Sequence, residues 1–419
     1  MRLSTSSEAG TIIMTGGRWP AFRHAGFTFY WFSSLLASFA VQISSVSVAW
    51  QVYDITRDPF DLGLVGLIQF TPAFLLVLVT GAAADRFGRR TIMAAALLGE
   101  GSCATLLLWF AWTGVDHVWP IFLVLAAFGI SRAFFNPASS SLVANLVPAG
   151  HLANAIALST TARQIATIAG PVAGGLLYGL SATTAYSIAV FFFIAAGLLV
   201  TFIPRPARRM TAEPVALQTI LAGFSYIWRE PVVLGAISLD LFAVLLGGAV
   251  ALMPVYARDI LDLGPWGLGL LRAAPGVGAI LVGFWLAFHP LRDHAGIVLL
   301  VFVGLFGLAT AIFGLSTTTW ISILALLFVG GCDMVSVYIR ETMIQIWTPD
   351  ALRGRVNAVN MVFVGASNEL GEFRAGAMAA WIGTVAAVSL GGIATLSVAL
   401  LWARLFPDMR RIRHLDGRH

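Results

Sequence analysis

Apolar residues follow one another along this chain in stretches of about twenty, separated by short polar connections. A helix needs about 20 apolar residues to cross the hydrocarbon core of a bilayer, and a spanning segment must satisfy its own backbone hydrogen bonds. Runs on that scale fall near 27–53, 62–83, 91–113, 118–144, 155–180, 183–203, 232–256, 266–288, 295–315, 319–346, 356–382 and 385–406. The pattern predicts an all-α membrane protein with twelve transmembrane helices.

The longest connection divides these spans into two sets of six. It runs from Pro204 to Glu230 and holds three prolines, a cluster of Arg205, Arg208 and Arg209, and an amphipathic piece from Leu217 to Trp228. The expected organisation is a half over 1–203, a linker over 204–230 that rests on anionic lipid through its arginines, and a second half over 231–419. An internal repeat supports it. Gly66-Leu67-Ile-Gln69-Phe-Thr-Pro72 in the second span matches Gly269-Leu270-Leu-Arg272-Ala-Ala-Pro275 in the eighth at an offset of 203, and Gly81 matches Gly283 at 202. Val147-Pro148 with Asn154-Ala155 is echoed by Thr348-Pro349 with Asn357-Ala358. The halves therefore read as two copies of one six-helix unit, an arrangement that places a substrate path between them near the midplane. The second copy of the 81–90 connection, around His289 to His294, lacks the Asp-Arg pair.

Composition agrees with the span count. The 419 residues are 58% hydrophobic and 11% charged, against roughly 25% charged in soluble domains. The 25 basic residues are all arginine. Eighteen lie in segments on the N-terminal side of the membrane and only Arg57 and Arg258 in loops on the other; by the positive-inside rule both termini are expected in the cytoplasm, and the protein in the inner (plasma) membrane. The arginines are spread over short loops and form no basic stripe, so nucleic acid is not an expected partner. Met1 to Gly17 lacks the apolar core of a signal peptide and reads as a cytoplasmic tail. Cys103 and Cys332 both sit in apolar runs, which argues against a disulfide framework or a metal site. The seven histidines are dispersed near loops and ends, and no phosphate-binding glycine loop of a nucleotide hydrolase is present. Neither a catalytic centre, a cofactor nor a metal is expected; the energy source is expected to be an ion gradient.

Between the second and third spans stands Gly81-Ala-Ala-Ala-Asp85-Arg86-Phe-Gly88-Arg89-Arg90. It reads as a tight polar turn, with Asp85 at the start of the next helix near the positive end of its dipole. Its spacing resembles the loop motif of the major facilitator superfamily, with Ala83 at a position that is usually leucine. In the fifth span Gly170-Pro171-Val172-Ala173-Gly174-Gly175 offers small residues for close helix contact and a proline bend. It resembles the fifth-helix motif of the drug:proton antiporters of that superfamily, which implies export. The stretches from Ile339 to Gln345 and from Thr348 to Asn357 are similar to the corresponding region of the enterobactin-exporter-like branch. The resemblance implies the major facilitator fold and a secondary transporter, not an enzyme.

Ionisable groups within spans are costly and mark function. Arg132 lies in the fourth span, where the antiporters keep an arginine, although Asn136-Pro137 stands where Gln-Gly is usual; it is a candidate for substrate binding or proton coupling, with a structural partner to a carboxylate as the alternative. The resemblance puts the helices of Asp240 and Asp333 on the cavity, which makes these the first proton-coupling candidates, with permanent ion pairs as the alternative. In the eleventh span Glu369 and Glu372 share a helix face and can hold a proton between them, or join a static network with Arg163; Arg374, two residues from Glu372, points elsewhere and is counted with them among the proton-coupling or substrate candidates. Arg340, Glu341 and Glu100 read as packing or interface groups, and Arg272 as an outer gate. A contact of Asp85 with Arg353 and Arg355 at the start of the eleventh helix, near Val356, would close the cytoplasmic side. The expected function is proton-coupled antiport by a monomer that exports a small amphiphilic molecule, siderophore or drug-like. The alternatives are a transporter of a lysophospholipid or similar solute, and a non-transporting receptor or scaffold.

Overall fold

A computed structural model describes residues 19–204, 217–291 and 293–412. Fifteen α-helices follow in order: α1 (Ala25–Thr56), α2 (Pro59–Phe87), α3 (Arg89–Thr113), α4 (Trp119–Leu146), α5 (Leu152–Leu180), α6 (Ala182–Thr201), α7 (Leu217–Arg229), α8 (Pro231–Gly247), α9 (Met253–Val255), α10 (Gly264–Phe288), α11 (Ala295–Leu315), α12 (Thr319–Trp347), α13 (Asp350–Ile382), α14 (Thr384–Leu405) and α15 (Pro407–Arg411). Ten described segments are long and apolar enough to cross a membrane, with 231–260 counted as one. The remaining two long helices, α5 and α13, are diluted by small, polar and charged residues.

Start signals are local. Asp58 accepts a hydrogen bond from Phe60 N at 2.9 Å ahead of Pro59, and Ser181 accepts from Thr184 N at 3.0 Å; each satisfies an orphan donor of the first turn. Three expectations need correction. The 81–90 stretch is mostly helix rather than a tight polar turn: α2 continues through Asp85, Arg86 and Phe87, so Asp85 ends one helix instead of starting the next, and Gly88 alone, at φ 87°, separates it from α3. A positive φ of this kind suits glycine. The eleventh span begins at Asp350, not near Val356. The seventh span is not continuous: α8 stops at Gly247, and the chain passes through a 3-10 turn, α9 and a π-helical turn over Tyr256–Ile260. Pro254 supplies no backbone donor there, and a methyl group on Gly248 would lie 3.1 Å from the Gly371 carbonyl carbon, so the break also lets α13 come close.

Helix α1 packs on α5 and α6, α2 on α4, and α3 on α4 and α6. In the second set α10 packs on α12, α11 on α12 and α14, and α8 on α13 and α14. The sets meet through α2 with α13 and α5 with α10. Both joints are built on glycine. A Cβ on Gly175 would lie 3.0 Å from Gly269 Cα, and one on Gly376 would lie 2.8 Å from Gly63 Cα. These residues lie toward the ends of the helices remote from Trp19 and Ile412. That remote end, here the distal face, is where the halves are closed together; the opposite, terminal face carries Trp19 and Ile412. Helix α7 lies along the second set at the terminal face. Gly223 would place a Cβ 2.7 Å from Arg355 O, and Tyr226 Oη donates to Trp347 O at 2.5 Å.

Candidate functional site

The central site grows from the surface of α13. Small residues at Gly371, Ala375 and Gly376 let this helix lie against α8 and α2, which fixes the direction of Glu369 and Glu372, one turn apart. Both carboxylates converge on Gly66 of α2. A methyl group there would overlap Glu369 Oε2 and lie 3.6 Å from Glu372 Oε2, so the missing side chain is the space the acids occupy. From α10, Arg272 donates through Nη1 to Ser45 Oγ of α1 at 2.9 Å and lies in the electrostatic field of Glu372. Its buried Nε has no hydrogen-bond partner. The site thus draws one helix pair from each half, α1 and α2 against α10 and α13. Glu372 stands ten residues from Ile382, about 15 Å along the helix and so near mid-membrane.

This geometry keeps the shared face expected for Glu369 and Glu372 but changes their partner. Arg272, not Arg163, stands opposite them, and it lies inside the seam rather than at its outer end. Arg374 does point elsewhere: Nη2 donates to Leu246 O at 2.6 Å and Nη1 to Met378 Sδ at 3.4 Å. Leu246 is in the last turn of α8, whose carbonyls have no helical partner, so a cation placed there both caps the broken span and suits its dipole.

Asp240 and Asp333 are not found between the halves. Asp240 forms an ion pair with Arg340 between α8 and α12. Asp333 lies with Asp240, Val303, Phe306 and Ser336 around a void of about 10 Å³ inside the second helix set, room for about one water. Glu341, read as a companion of Arg340, instead accepts a hydrogen bond from Asn360 Nδ2 at 3.0 Å. In the first set, Arg132 of α4 stands 3.7 Å from the fully buried Glu100 of α3, with its guanidinium 5.7 Å from the centre of the Phe135 ring. No hydrogen bond joins the two, and Arg132 remains 31% exposed.

The two glycine-containing motifs separate by location. Gly170 and Gly174 lie on Gln42, Ile43 and Val46 of α1, within one half, whereas Pro171 and Gly175 meet Gly269 of α10 across the seam. In the 81–90 motif, Arg89 donates to Ser141 O at 2.8 Å and Arg90 to Thr201 O at 2.5 Å, tying α3 to the ends of α4 and α6, while Arg86 lies 5.6 Å from the centre of the Phe87 ring. The surroundings of Gly81 and of the Asp85 side chain lie outside the described residues. Arg353, its expected partner, forms an ion pair with Asp350 at 2.6 Å. Among the described residues no three His, Cys, Asp or Glu side chains gather as metal ligands.

Residues 16–415 match the family described as transmembrane secretion effectors. The chain belongs to this family of the major facilitator superfamily. Over 402 residues it is 25% identical to the enterobactin exporter EntS of Shigella boydii, with 93% of this chain and 94% of that protein covered. The EntS of Escherichia coli O1:K1 gives the same identity and coverage over 403 residues. Among solved structures, a bacterial homologue of the human lysosomal transporter Spinster in an inward-facing, unoccupied conformation superposes with a TM-score of 0.70 at 13% identity, over 94% of this chain and 97% of that one. The nucleoside transporter NupG gives 0.72 at 12% identity, over 92% and 99%. At such identities these structures share the fold alone. This secretion effector is thus an integral membrane transporter and not an enzyme. Ser45 was not among the sequence-based candidates, Gly66 was read only as part of the repeat, and Arg272 was read as an outer gate rather than as the partner of the acids, although the repeat carried a signal: Arg272 is the charge standing where its partner copy has Gln69.

Proposed function

We propose that this secretion effector is an inner-membrane exporter with cytoplasmic termini, working as a monomer, that exchanges protons for a small amphiphilic molecule, siderophore or drug-like. Two halves, 1–203 and 231–419, rock about the linker 204–230 with the central site between them. The carrying observation is the placement of Glu369 and Glu372 against Gly66 of the other half with Arg272 beside them. The reading rests on charge balance. With one proton aboard, the acidic pair neutralises Arg272; without it, the seam holds a net negative charge that must be matched by a proton or by a polar group of the cargo. Because each half contributes two helices, parting the halves admits water or cargo to the acids, and joining them demands neutrality. Exchange follows from that demand. Glu100 with Arg132 and Asp240 with Arg340 hold helices within each half, and Asp333, beside its void, is a second proton acceptor to be tested.

Efflux from proteoliposomes under an imposed pH gradient tests this, with a panel of catecholate siderophores and cationic dyes. Gradient-driven efflux is expected in the wild type and lost in Glu372→Gln, while exchange of cargo for cargo survives. Gradient-driven efflux retained in both Glu369→Gln and Glu372→Gln refutes the coupling role. Efflux in the wild type that ignores the gradient indicates facilitated movement, as for a lipid-like solute.

A further inference from the structure

We infer that Asp54 and Arg57, with Arg258 and Asp259, form a charge latch that holds the distal face of the two halves shut, and that this latch sets how often that face opens. The inference rests on the transporter fold and on neither the cargo nor the proton coupling. The four groups alternate in sign and cross the seam twice. Arg258 of the π-helical turn pairs with Asp54 near the end of α1, and Arg57 stands 3.5 Å from Asp259. Tyr53 donates its hydroxyl to Asp259 Oδ2, and the Arg258 guanidinium lies 5.4 Å from the centre of the Trp50 ring. Tyr178 of α5 faces the same group through Asp54 and Arg258.

Two independent features of the backbone point to the same place. Arg57 adopts φ 52° at the end of α1, a conformation that glycine or asparagine takes more easily; keeping arginine there preserves a side chain that reaches Asp259. On the other side, the π-helical turn over Tyr256–Ile260 carries Arg258 and Asp259 next to each other in sequence, and both reach α1. A π-helical turn is a rare distortion often found at working sites. Tyr256 anchors it, its ring centre 4.4 Å from that of Phe313 and its hydroxyl donating to Gly314 O at 2.6 Å. The turn is therefore held by the second half while its charges grip the first.

The strength of the grip suits a contact that must release in every cycle. Side-chain exposures of 49% for Asp54, 52% for Arg57, 23% for Arg258 and 41% for Asp259 place the latch within reach of solvent, where an ion pair is worth little and salt screens it. Losing one such pair is expected to raise the ratio of open to closed distal face about two- to fivefold.

The test is a distance distribution by pulsed electron spin resonance on the full-length protein in liposomes. Spin labels are placed at Asp116→Cys and Thr317→Cys, exposed distal-face positions on opposite halves; the native Cys103 and Cys332 are buried. Asp54→Asn with Asp259→Asn is expected to enlarge the long-distance population, and raised ionic strength to do the same in wild type but not in that variant. Arg57→Gly, which fits the positive φ, is expected to shift the distribution without loss of fold. The exchange of Asp54→Arg with Arg258→Asp is expected to recover the wild-type distribution that Asp54→Arg alone disturbs. A distribution that stays at the wild-type distance in the first variant and in Arg57→Gly overturns the latch, and so does a charge exchange that recovers nothing.

Discussion

The two joints between the halves occupy equivalent places in the repeat yet are made differently. At the joint of α5 with α10, Gly269 lies against the backbone of Pro171, Val172 and Gly175. At the joint of α2 with α13, its repeat partner Gly66 lies against the carboxylates of Glu369 and Glu372. One glycine makes room for a main chain and the other for two acids. The same gap between packed helices holds a backbone contact on one side and two carboxylates on the other, so the seam of a repeated scaffold is asymmetric.

The comparison can be calibrated away from both joints. Arg340→Ala leaves Asp240 buried without its partner, and the loss expected is about 3–5 kcal/mol, read as a lower unfolding temperature in detergent; replacing both partners by apolar residues of similar size restores most of it. Next in size is Gly269→Ala. The added methyl would lie 2.6 Å from Pro171 O, and main chain cannot step aside, so a cost of about 1–3 kcal/mol is expected. It falls on the closed distal face and appears as a longer distance between spin labels across it. The smallest effect on stability belongs to Gly66→Ala, within about 0.5 kcal/mol, because the atom in the way ends a flexible side chain. Its effect on gradient-driven efflux is expected to be large, since the displaced group is an acid of the proposed coupling pair. Equal losses of stability in Gly66→Ala and Gly269→Ala would erase the distinction between the joints.

The spans, their order and the repeat were legible in the sequence because each depends on local apolarity or on spacing. Glu369 and Glu372 were legible for the same reason: a separation of three on one helix fixes a common face. Partners were not. Which arginine meets Asp240, whether Arg272 faces a loop or a carboxylate, and whether Asp333 faces the seam depend on how helices about a hundred residues apart are rotated against each other. Apolar runs do not report that rotation, since lipid-facing and protein-facing surfaces are both hydrophobic. The break in the seventh span was hidden too. Gly247-Gly248 sits in an unbroken apolar run, and only the contact with α13 and the cap from Arg374 show why the helix stops there.

Glycine at both joints also bears on kinetics. Where Gly175 meets Gly269 and Gly63 meets Gly376, no side chain has to change rotamer for the surfaces to part, and no rotamer freedom is regained or lost there. At those two crossings the seam works as a bearing rather than as meshed teeth. Friction in the cycle is left to the charged rim and the central acids, so turnover should respond more to salt and pH than to the viscosity of the helix packing itself.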